Sequence, residues 1–140
     1  MIDRGTTLDA LLEGELEIVG RILGSSNNAM LVTITRMCPE PEPALVLDAV
    51  YKPTLGERPL GDFPDGTLAR REVAAWHVSE ASGWGIVPPT VLRDGPFGEG
   101  MVQQWIHGDP EADLVALVVG DDPRLRRMAV FDAIVNNTDR

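Results

Sequence analysis

The sequence is poor in thiols and in positive charge. It has one cysteine, Cys38, and this excludes an internal disulfide framework and a cysteine-rich zinc site. Twelve Lys and Arg side chains stand against 22 Asp and Glu side chains, for a formal net charge of -10. Because such a chain would repel a polyanion, we expect no nucleic-acid partner.

Long hydrophobic runs are also missing. A membrane-spanning helix needs about 18 or more apolar residues, and the richest stretch, at 114–119, is far shorter. The first twelve residues mix charged and apolar side chains and do not resemble a secretory signal. We therefore expect a soluble, cytoplasmic protein with no membrane span. The length of 140 residues corresponds to about one domain.

Three strands are predicted in the first half of the chain, at 16–23, 29–35 and 45–53, after a short helix at 8–13 capped by Thr7 or Asp9. The first two strands are separated by a Gly-Ser-Ser-Asn-Asn turn, whose residue types tolerate tight turns. Alternating prolines at 39–43 exclude a helix and favour an exposed hairpin connection before the third strand.

The second half begins with a change of period. Apolar residues at helical density predict a helix over 67–82, and Gly83 follows as a typical C-terminal glycine. Short strands are predicted at 85–93 and 100–106, and a second helix at 123–135. These elements predict an α+β fold.

Lys52 is the only lysine in a chain with eleven arginines, and it ends the third predicted strand. Glu72 lies in the helix that follows. A strand lysine paired with a helix glutamate is the arrangement by which protein-kinase lobes hold nucleotide phosphates, since phosphoryl transfer requires charge neutralisation and positioning. The alternative is a solvated surface lysine and an ordinary surface glutamate.

Several segments carry a more specific resemblance. They are VYKP at 50–53, GERPL at 56–60, DFPDGTL at 62–68, REVA at 71–74, WGIVPPT at 84–90 and FDAIVNNTDR at 131–140. With them the chain resembles an actinobacterial group of the phosphatidylinositol 3- and 4-kinase-like family, which is related to the HipA-type kinases and the protein-kinase-like superfamily. The resemblance covers most of the chain.

The resemblance implies a kinase-like N-terminal lobe over residues 1–106, with an antiparallel sheet and one packed helix, and the start of a helical C-terminal lobe over 107–140. It also implies roles for individual residues. Lys52 would contact phosphate and Glu72 would hold Lys52, while Asp139 would be the catalytic base. The other residues expected at the nucleotide are Ser25 and Ser26 in the first turn, and Gln103, Gln104, Trp105 and Ile106 beside the adenine.

ATP and Mg²⁺ are the cofactors that the resemblance implies for a complete protein. Family members continue beyond the Asp-Arg pair with a later metal-binding aspartate, so we expect no metal ligand here and a chain that is incomplete and inactive alone. The alternative function is a pseudokinase-like nucleotide-binding or protein-interaction module. The acceptor substrate is left open between lipid, protein and metabolite. An exposed apolar face of the helix at 123–135 would favour self-association.

Overall fold

The fold was analysed in a computed structural model, which describes residues 2–25, 28–57, 61 and 64–137. These residues form an α+β fold with one five-stranded antiparallel sheet and four α-helices. The elements are α1 (Arg4–Glu13), β1 (Glu15–Arg21), β2 (Met30–Arg36), β3 (Leu45–Pro53), α2 (Leu68–Ser82), β4 (Thr90–Gly95), β5 (Gly98–Gln104), α3 (Leu114–Val119) and α4 (Pro123–Ile134). The predicted α+β class is confirmed.

The sheet has the strand order β1-β2-β3-β5-β4, so β3 lies at its centre. Two hairpins, β1–β2 and β4–β5, flank it, and all neighbouring strands are antiparallel. Helix α2 connects β3 to the edge strand β4. The chain then returns through β5, which pairs with β3 and places Lys52 opposite Met101.

The hydrophobic core lies between α1 and one face of the sheet. In β3, Leu47, Ala49 and Tyr51 are buried, which is the period of two of a strand with one face on a core. They pack in one cluster with Ala10 and Leu11 of α1. Residues of β3 at the intervening positions therefore point to the opposite face.

That opposite face is covered at one end by α2, which contacts β4 and β5. The helix buries Trp76 and Ser79. The Ser79 hydroxyl accepts hydrogen bonds from the backbone N–H groups of Ile86 and Val87, at 2.8 and 3.0 Å, and so fixes the segment that leads to β4. The helix ends at Gly83 with a left-handed φ of 71°, as the sequence predicted.

Several element boundaries differ from the predictions. Those of β1, β2 and β5 shift by one or two residues, and the starts of α1 and β4 shift further. Helix α1 begins at Arg4, because the Asp3 carboxylate accepts a hydrogen bond from the Thr6 N–H and serves as the N-cap in place of Thr7 or Asp9. Residues 85–89 are not part of a strand, and β4 begins at Thr90. A left-handed Gly85 and two consecutive prolines, which cannot donate ladder hydrogen bonds, account for this later start.

The two helices after β5 expose much of their apolar surface. In α3 the exposed apolar residues, with 68–78% of their surface accessible, are Leu114, Val115, Val118 and Val119. In α4, Phe131 is buried, but Val130 and Ile134 are exposed. Within the described ranges of the chain, no helix combines the length and hydrophobicity needed to cross a bilayer.

Candidate functional site

An ion pair joins β3 to α2. The Lys52 Nζ atom donates to both carboxylate oxygens of Glu72, at 3.0 Å to Oε1 and 3.2 Å to Oε2. Both side chains are half-buried, with 27% and 32% of their surface exposed. Lys52 and Glu72 therefore lie within hydrogen-bond distance of each other, as the sequence predicted.

The alternation of β3 explains why Lys52 points to this side. Tyr51 is buried against α1, so its neighbour must project from the α2 face of the sheet. The strands approach closely at the next position, where Gly100 of β5 lies opposite Pro53. A Cβ atom on Gly100 would lie 2.3 Å from the Lys52 carbonyl oxygen, so only glycine fits there.

A row of side chains crosses the same face beside Lys52. Its members lie opposite one another in successive strands, and they are Leu31 of β2, Val50 of β3, Gln103 of β5 and Thr90 of β4. Leu31, Val50 and Gln103 are half-buried. The row joins two apolar side chains, Leu31 and Val50, to two polar ones, Gln103 and Thr90, and it lies two residues along β3 from Lys52.

Leu31 and Val50 were not among the residues that the sequence predicted for this site. A signal for Val50 was present, because a residue two positions before Lys52 in a strand must share its face. Leu31 carries no comparable signal, since its place beside Val50 depends on the register between β2 and β3.

Gln103 is held in a defined orientation. Its Nε2 donates to the Thr90 hydroxyl at 2.8 Å, and that hydroxyl donates to the Pro88 carbonyl oxygen, also at 2.8 Å. Thr90 is fully buried and Gln103 is half-buried, so the hydroxyl that the two hydrogen bonds share lies out of solvent.

The other residues predicted beside the adenine do not all share the Lys52 face of the sheet. Gln104 lies opposite Ala49, on the α1 side. With Ile106 it lines a cavity of about 400 Å³ below α1. Trp105 and Ile106 follow β5 and are 38% and 59% exposed. The Trp105 N–H donates to the Asp48 carbonyl oxygen at 2.9 Å, which places this segment at the Asp48 end of β3.

The turn between β1 and β2 lies at the opposite end, near Lys52. Met30 is paired with Tyr51, so the residues that precede Met30 run beside the end of β3. The turn contains Gly24 with a left-handed φ of 79°, followed by Ser25, which is half-buried. Ser26, the second serine predicted at the phosphates, lies outside the described residues.

The predicted catalytic aspartate, Asp139, also lies outside the described residues. The described part of this segment ends at Asn137, whose N–H donates to the Asp132 carbonyl oxygen at 2.8 Å beyond the end of α4. In the ranges that the structure describes, no three His, Cys, Asp or Glu side chains converge as a metal site would require.

The chain is similar to protein Rv2133c of Mycobacterium tuberculosis. The two are 42% identical over an alignment 165 positions long, which takes in 93% of this chain and 57% of that protein. The chain thus spans a little over half the length of this relative. No family model matches the chain, and no solved structure matches it.

Proposed function

We propose that this chain forms the nucleotide-binding part of an ATP-dependent phosphotransferase of the phosphatidylinositol 3- and 4-kinase-like type. The observation that carries the proposal is the Lys52–Glu72 ion pair between the central strand and the helix that follows it. In protein kinases a lysine of the third strand and a glutamate of the next helix form such a pair, and the lysine contacts the phosphates.

The arrangement of elements supports the same proposal. Two hairpins flank the lysine-bearing strand, and among the described residues one α-helix, α2, lies between this strand and the second hairpin. This order supports a protein-kinase-like N-terminal lobe, in which the first hairpin turn would cover the phosphates with backbone N–H groups.

The residues on the Lys52 face have the chemistry that ATP would need. Lys52 supplies the positive charge for phosphate oxygens, and Glu72 holds its ammonium group in one position. Leu31 and Val50 offer an apolar surface for a flat base about 7 Å along the strand from Lys52. Gln103 would border that base, whereas Gln104 lies on the α1 side. When bound, ATP would supply the phosphoryl group for transfer.

The remaining parts of the proposed reaction rest on the sequence resemblance. Asp139 would accept the proton of the acceptor hydroxyl. No set of metal ligands converges in the described part of the chain, so we assign no step to Mg²⁺. We also propose a soluble acceptor and a cytoplasmic location, because the net charge of -10 disfavours work at an anionic membrane surface.

The proposal is tested by calorimetric titration of the chain with ATP, with and without Mg²⁺. We expect binding by the unmodified protein and a loss of affinity of roughly tenfold to 100-fold in Lys52→Met, because charge-assisted hydrogen bonds to phosphate are removed. The matched control is Arg70→Met, which removes an exposed cation of α2 that pairs with Glu99.

Two results would contradict the proposal. One is equal ATP affinity in Lys52→Met and in the unmodified protein. The other is no detectable binding by the unmodified protein under either condition, which would favour the interaction module that the sequence left as the alternative.

A further inference from the structure

Helix α2 carries no capping group of its own at its N-terminus. The N-cap residue, Thr67, makes no side-chain capping hydrogen bond, and its hydroxyl donates instead to the Pro64 carbonyl oxygen at 2.6 Å. The first turn contains no acidic residue. The first N–H groups of a helix have no partner within the helix, and one of them left unpaired in a half-buried place would be destabilising.

The missing cap is supplied from the end of β3. The Glu57 carboxylate accepts hydrogen bonds from the backbone N–H of Ala69, at 2.7 Å to Oε1, and of Leu68, at 3.2 Å to Oε2. A negative charge in this position also interacts favourably with the helix dipole. The Glu57 side chain thus caps the N-terminus of α2, which a local Ser, Asp or Asn does in most helices.

Glu57 is itself closely attached to β3. Only a 3-10 turn, Thr54–Gly56, separates it from the end of the strand, and its N–H donates to the Thr54 carbonyl oxygen at 3.1 Å. Pro53 is buried and lies opposite Gly100, which fixes the start of this connection. The position of the Glu57 carboxylate is therefore set by the central strand.

The Lys52–Glu72 pair connects α2 to β3, and the Glu57 cap connects α2 to the short segment that follows β3. Glu72 follows Leu68 by one helical turn, a rise of about 6 Å. One carboxylate reaches from the end of β3 to the first turn of α2, and the other reaches from the second turn of α2 back to β3. If the Glu57 hydrogen bonds to α2 are lost, the start of α2 can move, and the Lys52–Glu72 pair then loses its geometry.

We propose that Glu57 is a positioning residue, which fixes the first turn of α2 and so keeps Glu72 within hydrogen-bond reach of Lys52. Its consequence for nucleotide binding rests on the proposed function, whereas its effect on the ion pair does not. Glu57 acts through Glu72 and needs no contact with a nucleotide.

The test uses the fact that Lys52 is the only lysine of the chain. The rate at which an amine-reactive acylating reagent modifies Lys52, followed by peptide mass spectrometry, reports the ion pair without any nucleotide. We expect Glu72→Ala to raise this rate roughly two- to fivefold, the factor that corresponds to a partly exposed ion pair. We expect Glu57→Ala to raise it nearly as much.

A double-mutant cycle distinguishes positioning from a general loss of stability. If Glu57 acts through Glu72, the Glu57→Ala change has little further effect on the labelling rate when Glu72 is already Ala. Glu57→Gln, which keeps one acceptor oxygen, gives an intermediate rate and carries the test if Glu57→Ala fails to fold by circular dichroism. The control is Glu42→Ala, which removes an exposed carboxylate from the β2–β3 connection.

The inference is overturned if the Glu57 variants label at the unmodified rate while Glu72→Ala labels faster. Independent effects that multiply in the double variant would overturn it too. ATP affinity is measured on the same variants, where we expect Glu57→Ala to weaken binding by a similar factor. If no variant binds ATP, including the unmodified chain, the proposed function fails and the labelling cycle still decides the role of Glu57.

Discussion

Consecutive residues of β3 make different contacts because the side chains of a strand point alternately to its two faces. Tyr51 belongs to the core below α1, and Lys52 belongs to the opposite face with Glu72. The Tyr51 hydroxyl donates to the Gly98 carbonyl oxygen at 2.5 Å and accepts from the Phe97 N–H at 3.2 Å. It thereby holds the turn of the β4–β5 hairpin against the central strand.

Tyr51 is predicted to titrate at an abnormally high pH. Burial raises the pKa of its phenol above the usual 10.0, and the nearby Asp94 carboxylate adds to this effect. Because Tyr51 is the only tyrosine, the absorbance of tyrosinate near 295 nm reports it alone. We expect a midpoint above 10 in the folded protein and one near 10 in denaturant. Equal midpoints in the two states would contradict a buried, hydrogen-bonded phenol.

The same shift makes stability depend on pH. Since the folded state has the higher pKa, the contribution of the neutral phenol is complete below pH 10 and is lost as pH rises above 10. Chemical denaturation of Tyr51→Phe should show a smaller alkaline loss than the unmodified protein. At neutral pH this variant should be less stable by about 1 kcal/mol, because two backbone groups lose their hydroxyl partner.

At the level of elements, the capping groups decide where helices begin. At the start of each described α-helix a carboxylate accepts hydrogen bonds from backbone N–H groups. The carboxylates are Asp3 for α1, Glu57 for α2, Asp113 for α3 and Asp122 for α4. Three of these caps are local and can be anticipated from sequence, because an acidic side chain stands at the N-cap position. The cap of α2 comes from another element, so the sequence around Thr67 does not indicate it.

Helix α4 is predicted to lose stability only at very low pH. Hydrogen bonds from Arg124 lower the pKa of its N-cap, Asp122, from 3.8 to about 2. A lowered folded-state pKa means that the contribution is present above about pH 4 and is lost as pH falls through about 2.

This dependence is measured by the helical circular dichroism signal and by amide exchange in α4 between pH 5 and pH 2. The control is Asp122→Asn, which keeps a capping oxygen but has no charge to titrate. We expect α4 in that variant to show less pH dependence over this range. An unchanged profile would mean that other carboxylates cause the acid transition.

At the level of the whole molecule, α3 presents an unusually apolar surface. Four of its six residues are large apolar side chains with most of their surface exposed. Contiguous exposed apolar surface of this kind promotes association. We expect the chain to self-associate through α3 at high concentration.

Analytical ultracentrifugation over a concentration series tests this expectation. The double variant Val115→Lys and Val118→Lys should sediment as a monomer at concentrations where the unmodified chain does not. The control is Met37→Lys, which adds a positive charge at an exposed apolar side chain in the β2–β3 connection. A monomer at all concentrations in the unmodified chain would contradict the expectation.

Local patterns in the sequence determined much of the fold. The bounds of β3 were predicted to the residue, and α2 was predicted to end before Gly83, because hydrophobic periodicity and a C-terminal glycine act locally. The largest boundary error, at the start of β4, arose where backbone constraints intervened. The start of β4 depends on Gly85 and two prolines.

The sequence by itself determined which residues could form the site, because Lys52 ends an apolar strand and Glu72 lies in the next helix. Only the tertiary structure decided that the two side chains meet, that Leu31, Val50 and Gln103 form a row beside them, and that Glu57 caps α2. The physical reason is that these contacts depend on strand register and on how α2 docks against the sheet, and both are set by packing between segments distant in sequence.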